Sequence, residues 1–130
     1  MEPKKKTVLL IDDDQFLLNM YTLKFKNSGF EVEVANSASA GLQKLRDGLT
    51  PGVILVDIVM PAMDGLEFIK RAKEERLSPS SAVIVLTNQG QNTDIDRAKE
   101  LGVDGYIVKA TTIPSEVVEE VRKILAKKLK

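Results

Sequence analysis

Residues 8–13, VLLIDD, join four apolar residues directly to two acids. Three further apolar runs follow the same pattern and end in Asp57, Thr87 and Lys109. Those runs are residues 53–56 (VILV), 83–86 (VIVL) and 106–108 (YIV). Short unbroken apolar runs are typical of parallel strands that are covered on both faces. Because the carboxyl ends of parallel strands share one edge of a sheet, the sequence predicts that these polar side chains meet there.

The composition of the chain is that of one soluble domain. It has 130 residues, of which 43% are hydrophobic and 29% are charged, enough for a full hydrophobic core. Nineteen basic and 19 acidic residues cancel, so no net field draws nucleic acid or an anionic membrane. There is no cysteine and no histidine, which excludes thiol nucleophiles, thiolate zinc sites and imidazole catalysis. No segment is typical of a signal peptide or a membrane span, and we expect a cytoplasmic location.

Strand-like and helix-like patterns alternate along the chain. The predicted strands are residues 7–11, 31–35, 53–56, 82–86 and 105–108. The predicted helices are residues 14–28, 37–47, 64–76 and 92–101, with a last helix that begins near Pro114. Five strand–helix pairs predict an α/β fold, a doubly wound parallel sheet with helices on both faces. We expect one domain over residues 7–130, preceded by a short charged arm at residues 1–6.

Local signals fix some positions within this scheme. Residues 31–35, EVEVA, alternate polar and apolar, which predicts a strand at the edge of the sheet. Asp14 and Ser37 are expected to cap the first two helices, and Gly29 to end the first in a left-handed conformation. Leu17, Met20, Tyr21 and Phe25 recur at helical spacing, which predicts the inward face of the first helix.

The predicted sheet edge gathers three carboxylates, those of Asp12, Asp13 and Asp57. Unit charges ~4 Å apart interact by about 4 kcal/mol at an effective dielectric of 20, so the cluster needs compensation. Lys109 can neutralise one charge, and a divalent cation such as magnesium suits an all-oxygen pocket. A shielded Asp57 could then attack phosphorus while Lys109 and the Thr87 hydroxyl hold the transferring oxygens. The residues therefore favour phosphoryl transfer to a carboxylate.

These segments together resemble the response-regulator receiver domains of two-component signalling, of the chemotaxis-receiver type. Residues 8–14 are similar to the family's opening strand and acidic pair, and residues 57–65, DIVMPAMDG, to its phosphoacceptor loop. Leu86-Thr87 and Val108-Lys109 resemble its two remaining markers, and the match covers essentially the whole chain. The resemblance implies a flavodoxin-like fold with strand order 2-1-3-4-5, in which the second strand lies at the edge.

The resemblance also assigns roles to individual residues. Asp57 would be phosphorylated by a partner histidine kinase or phosphotransfer protein, whose imidazole this chain does not itself supply. Asp13 and Asp57 would bind Mg²⁺ directly, with the Val59 backbone carbonyl as a further ligand and Asp12 acting largely through water. Thr87 would turn toward the phosphoryl group and Lys109 would pair with it. Tyr106 occupies the position of the family's switch aromatic.

The chain departs from the family pattern at several positions near the site. Ala110 stands where proline usually follows the lysine, and a cis bond before alanine costs about 2.5–4 kcal/mol, so a trans peptide is expected. Asn88 replaces a commonly small residue, which predicts a more crowded loop. Val59 places an apolar side chain near the route of an attacking water, and Gln89 could orient that water.

Several functions are compatible with such a sheet edge. The first is a phosphorylation-gated switch, which is not an enzyme and has only self-phosphorylation and self-dephosphorylation chemistry. Its output surface would be residues 92–126, which would contact a downstream protein or output domain or form a phosphorylation-dependent homodimer. The alternative is an interaction module that works without phosphorylation. A haloacid-dehalogenase type of phosphatase would need a second aspartate where Val59 stands. Flavin binding would need a hydroxyl- and glycine-rich phosphate loop after the first strand, and none is present there.

Overall fold

The computed structural model describes residues 4–87, 92–109 and 112–128. The strands are β1 Lys4–Ile11, β2 Glu31–Ala35, β3 Pro51–Asp57, β4 Ala82–Thr87 and β5 Gly105–Val108. The helices are α1 Gln15–Asn27, α2 Ala38–Arg46, α3 Gly65–Glu74, α4 Asn92–Glu100 and α5 Pro114–Lys128. No helix in these described ranges is both long and apolar enough to cross a membrane.

The five strands form one parallel sheet in the order β2-β1-β3-β4-β5. The predicted doubly wound, flavodoxin-like architecture is therefore confirmed. The edge position predicted for β2 is also confirmed, since β2 pairs only with β1 among the described strands and three of its five residues are exposed. The central strand β3 is buried along all seven residues.

Apolar side chains fill both faces of the sheet. On one face α1 and α5 pack against the sheet through Leu18, Phe25, Val117 and Val121. On the other face α2, α3 and α4 contribute a second cluster that contains Leu42, Phe68 and Ala98. Burial of apolar surface contributes about 25 cal/mol per Å², so two filled faces are the main source of stability. They also hold the carboxyl ends of the strands in fixed register.

Two strands begin earlier than their apolar runs suggested. β1 starts at Lys4 rather than residue 7, so the predicted arm at residues 1–6 overlaps the strand. β3 starts at Pro51 rather than residue 53. Lys4 pairs with Pro51 across a register shift, and the Ser81 hydroxyl donates to the Pro51 carbonyl. The strands are extended there by pairing with neighbouring segments, which the pattern of apolar residues does not predict.

The predicted helix ends are confirmed at three positions. Asp14 and Ser37 accept hydrogen bonds from the N–H groups of Leu17 and Ala40, and Gly29 has φ +93°. The predicted inward face of α1 is partly wrong. Leu18 is buried with Tyr21 and Phe25, whereas Leu17 and Met20 are only half-buried beside that cluster.

Candidate phosphoacceptor site

Four strand ends meet at the carboxyl edge of the sheet. Ile11 of β1 lies beside Val56 of β3, and Asp57 lies beside Leu86 of β4. Thr87 in turn lies beside Val108 of β5. Asp12, Asp57, Thr87 and Lys109 are the last residues of these strands or the first beyond them, so the sheet register brings all four together.

The acidic residues form one compact cluster. Asp12, Asp13 and Asp57 each offer a carboxylate oxygen, and these oxygens all lie within 4.8 Å of one another. Asp12 and Asp57 are buried, at 5% and 6% exposure, whereas Asp13 is open to solvent. The cluster therefore has two buried carboxylates and one that is accessible to solvent.

Lys109 closes this cluster from the β5 side. Its Nζ lies 2.6 Å from Asp12 Oδ2 and 3.5 Å from Asp57 Oδ1, and its side chain is 6% exposed. Burial lowers the pKa of Lys109, but the hydrogen bond to Asp12 and the charges of Asp57 and Asp12 outweigh it, so the pKa is raised. The lysine therefore stays charged and neutralises part of the cluster.

Asp57 carries the strongest perturbation in the cluster. Burial raises the pKa of its carboxyl, Lys109 opposes that effect, and the charges of Asp12 and Asp13 reinforce it, giving a pKa of about 6. Asp57 therefore takes up a proton at a higher pH than an ordinary carboxyl, mainly because it is buried and because one ammonium does not offset burial together with the neighbouring acids. A further cation would favour the ionised form, which is the nucleophilic one.

Asp12 joins two segments through its two oxygens. Asp12 Oδ1 accepts a hydrogen bond of 3.0 Å from the Asp14 N–H, while Oδ2 receives Lys109. Asp14 in turn caps α1 through its own carboxylate. The resemblance gave Asp12 a role through water, and its short contact with Lys109 could not be predicted from the sequence pattern.

The loop after Asp57 is held close to the start of α3. The Gly65 N–H donates to the Ile58 carbonyl over 2.8 Å, and a Cβ at Gly65 would lie 2.1 Å from the Asp57 carbonyl oxygen. Asp64 caps α3 by accepting from the Glu67 N–H. The side chain of Val59 points outward and is 73% exposed. Gly65 thus permits the close backbone approach that positions Asp57.

Thr87 and Tyr106 lie on neighbouring strands. Thr87 is buried at 3% exposure, at the end of β4. Tyr106 lies opposite Val85 in the sheet and is half-buried beside the α2–α4 side of the core. Burial, followed by the charge of Asp94 on α4, raises the pKa of the Tyr106 hydroxyl. Asn88, Gln89 and Ala110, for which we made predictions, lie outside the described residues.

One aromatic near the site was assigned only a core role from its spacing. Tyr21 is 4% exposed on the inner face of α1. Burial raises the pKa of its hydroxyl, Lys109 lowers it, and Asp12 and Asp57 raise it further. Tyr21 therefore lies within electrostatic range of the cluster. Its place in an apolar stripe concealed this, because helical spacing does not show how far along the sheet a side chain reaches.

The donor atoms of the cluster fit a magnesium ion. They are carboxylate oxygens, and the chain has no histidine or cysteine that would favour a softer metal. Three acids facing one buried ammonium leave negative charge for a divalent cation to neutralise. The exposed Asp13 carboxylate provides access from solvent.

Comparison with known proteins agrees with this geometry. The family model for the response regulator receiver domain matches residues 8–122. This chain belongs to that family. It is thus a receiver domain of two-component signalling, a class of signalling switch.

Solved receiver structures share its fold along nearly the whole chain. A CheY-like receiver domain protein from Methanospirillum hungatei superposes with a TM-score of 0.86 at 28% identity, over 96% of this chain and 97% of that one. A putative response regulator from Chloroflexus aurantiacus superposes with a TM-score of 0.84 at 32% identity, over 95% and 99%.

Curated relatives are longer than this chain. The DNA-binding response regulator MtrA of Mycolicibacterium smegmatis is 29% identical over 94% of this receiver domain and 51% of its own length. A protein-glutamate methylesterase/protein-glutamine glutaminase of Bacillus licheniformis is 38% identical over 94% and 34%. The chain therefore spans about half or a third of the length of these relatives.

Proposed function

We propose that this receiver domain accepts a phosphoryl group on Asp57 and changes its α4-β5-α5 face in response. The observation that carries the proposal is the position of Asp57, buried beside Lys109 in a three-carboxylate cluster at the sheet edge. Residues 7–130 form the receiver domain in this proposal.

The transfer step joins one Asp57 carboxylate oxygen to phosphorus. The donor is an N-phosphohistidine of a partner histidine kinase or phosphotransfer protein. As the new O–P bond forms, the donor N–P bond breaks and its electron pair stays on the imidazole nitrogen, which takes a proton from solvent. Asp57 must be ionised to attack, and Lys109 with the Thr87 hydroxyl would hold the phosphoryl oxygens.

Magnesium is the metal that the cluster suits. Asp13 and Asp57 would hold it, with the Val59 backbone carbonyl as a further ligand and Asp12 acting through water. When bound, it supplies positive charge that shields Asp57 and offsets the charge of the phosphoryl oxygens. Attack on phosphorus and the holding of the phosphoryl oxygens would be performed by side chains of this chain.

A protein partner, rather than a small molecule alone, is supported by exposed apolar side chains that lie close in sequence to the site residues. Large exposed apolar side chains follow three of the site segments closely, Phe16 after Asp13, Val59 after Asp57 and Ile113 after Lys109, with 75%, 73% and 60% exposure. Such side chains would offer apolar contacts to a protein that docks over the strand ends. The histidine that the chain lacks would come from that partner.

The proposed switch begins at Lys109. A phosphoryl group on Asp57 would add charge and acceptor oxygens, which compete with Asp12 for the ammonium and draw in Thr87. Tyr106 pairs with Val85 of β4, and the charge of Asp94 on α4 affects its hydroxyl. A movement of Tyr106 would therefore be coupled to α4. Repacking there would alter the face that binds a downstream protein, an output domain or a second copy.

Intact-mass analysis after incubation with Mg²⁺ and acetyl phosphate tests the acceptor. We expect one phosphoryl adduct on the wild-type chain and none on Asp57→Asn. Asp64→Asn is the matched control, because Asp64 is a cap in the same loop and asparagine also caps helices. An adduct that persists in Asp57→Asn would contradict the proposal.

A second experiment separates the switch from a phosphorylation-independent interaction module. Partners are captured on the wild-type chain with Mg²⁺, with and without beryllofluoride as a phosphoryl mimic. The switch predicts that at least one partner binds differently in the two states. Equal binding in both states would support the interaction module instead.

A further inference from the structure

A small apolar cavity lies toward the amino-terminal ends of β3 and β4, opposite the strand ends that hold Asp57. It lies under the carboxyl-terminal half of α3. Its volume is about 130 Å³. Its apolar walls are Ile54, Phe68, Ile69, Ala72, Leu77 and Val83. Apolar cavities of about 150 Å³ stay dry and bind benzene in another protein, so this volume suits one aromatic ring or a short alkyl chain.

Two cationic side chains also line this cavity. Lys73 belongs to the last turn of α3, and Arg76 belongs to the loop that follows, where its φ is +56°. A Cβ added to Gly102 would lie 3.8 Å from Lys73 Nζ, which places this ammonium between the ends of α3 and α4. The mouth of the cavity is therefore positively charged and lies between two helices.

The cations at the mouth have no acidic partner in the described parts of the chain. Neither Lys73 nor Arg76 forms a salt bridge there. Two acids of the adjoining segments already have other partners, since Glu75 pairs with Arg46, and Asp104 with Lys128 and the Val83 N–H. A ligand carboxylate at the mouth would therefore not displace an existing ion pair.

We propose that this cavity binds a small amphiphilic carboxylate, with an aryl or short alkyl group inside and its carboxylate beside Lys73 and Arg76. The volume is too small for a helix or a strand of a partner protein, which favours a small molecule. The site is separate from the phosphoacceptor cluster and does not depend on phosphorylation.

Methyl NMR titration with 3-phenylpropionate, carried into the millimolar range, tests this proposal. Saturable shifts are expected for Ile54, Ile69, Leu77 and Val83, and the same shifts in Asp57→Asn. The neutral analogue 3-phenylpropanamide, which keeps the ring, should bind roughly three- to tenfold more weakly, because two exposed ion pairs each contribute modestly. The absence of saturable shifts with 3-phenylpropionate would overturn the proposal.

Charge and volume variants separate the two parts of the site. The double variant Lys73→Gln and Arg76→Gln should weaken 3-phenylpropionate binding by the same roughly three- to tenfold and leave binding of the amide unchanged. Lys26→Gln with Lys70→Gln makes the same change in charge on exposed residues outside the cavity and should have no effect. Equal affinity in the two double variants would overturn the role of the cations.

Ala72→Val should reduce binding of both probes by filling the cavity. Unchanged binding by the folded variant would place the ligand elsewhere.

Discussion

The Lys109 ammonium donates to the Asp12 carboxylate over 2.6 Å, although the two residues are 97 positions apart in the chain. Both side chains are almost fully buried, at 6% and 7% exposure. The pair therefore connects the end of β5 to the end of β1 inside the candidate phosphoacceptor site.

Removal of the ammonium should destabilise the chain. Lys109→Met leaves Asp12 and Asp57 buried without their cation, and loss of one member of a buried ion pair costs about 3–5 kcal/mol. We expect that loss of unfolding free energy in urea at pH 8 with EDTA. Saturating Mg²⁺ should recover part of it, because the cation replaces the missing positive charge. Lys128→Met, which removes a more exposed pair with Asp104, should cost less than about 1 kcal/mol. Equal losses in the two variants would contradict this account.

Asp57 should make the metal-free chain less stable as the pH rises. Its pKa is about 6 in the folded state against an ordinary value of 3.8, so the folded chain binds the proton more tightly. The unfolding free energy therefore falls between about pH 4 and pH 6, by at most about 3 kcal/mol for two pKa units. Asp57→Asn has no such group, and its advantage over wild type should grow across this range and level off near pH 7. Urea titrations in EDTA measure it, and a constant difference at all pH values would argue against the raised pKa.

Asp13 should govern Mg²⁺ affinity without affecting the fold. Its carboxylate is in the cluster but exposed, so Asp13→Asn should weaken Mg²⁺ binding by about tenfold or more and change stability in EDTA by less than about 0.5 kcal/mol. Asp14→Asn is the matched control, because Asp14 is the adjacent acid and its capping role is retained by asparagine. Isothermal titration with Mg²⁺ measures both. Comparable weakening in Asp14→Asn would show that general surface charge, and not the cluster, sets the affinity.

Gly65→Ala should disturb the phosphoacceptor loop. The new Cβ would lie 2.1 Å from the Asp57 carbonyl oxygen, so the backbone must move, and we expect a loss of about 2–4 kcal/mol together with slower phosphorylation by acetyl phosphate. Gly29→Ala serves as a control in which φ is +93° but the space around the Cβ is open. It should cost about 1 kcal/mol through backbone strain and leave the phosphorylation rate unchanged. A normal phosphorylation rate in Gly65→Ala would refute the positioning role.

The strand ends were the most predictable part of the molecule. Apolar runs that stop at Asp12, Asp57, Thr87 and Lys109 follow from burial on both faces of a parallel sheet, and the structure places these residues along one edge. Strand starts were less predictable, because Pro51 joins β3 through a cross-strand partner and the Ser81 hydroxyl rather than through apolar burial.

Side-chain pairings within the site were beyond the sequence pattern. The strand-end pattern predicts that the three acids and Lys109 meet at one edge, but the choice of Asp12 over Asp57 as the closer partner depends on packing within the pocket. Tyr21 was assigned only to the core, because helical periodicity identifies a face of α1 but does not show how far that face lies from the acidic cluster. Leu18, rather than Leu17, is buried on the inner face of α1, because that face is rotated slightly from the predicted one.

Asp12 divides its two oxygens between the Asp14 amide and the Lys109 ammonium. A group that drew that ammonium away would leave without its cation the carboxylate that holds the amide of Asp14, the N-cap of α1. In the proposed switch, phosphorylation of Asp57 would thus affect the amino terminus of α1 as well as Tyr106 on the opposite face of the sheet.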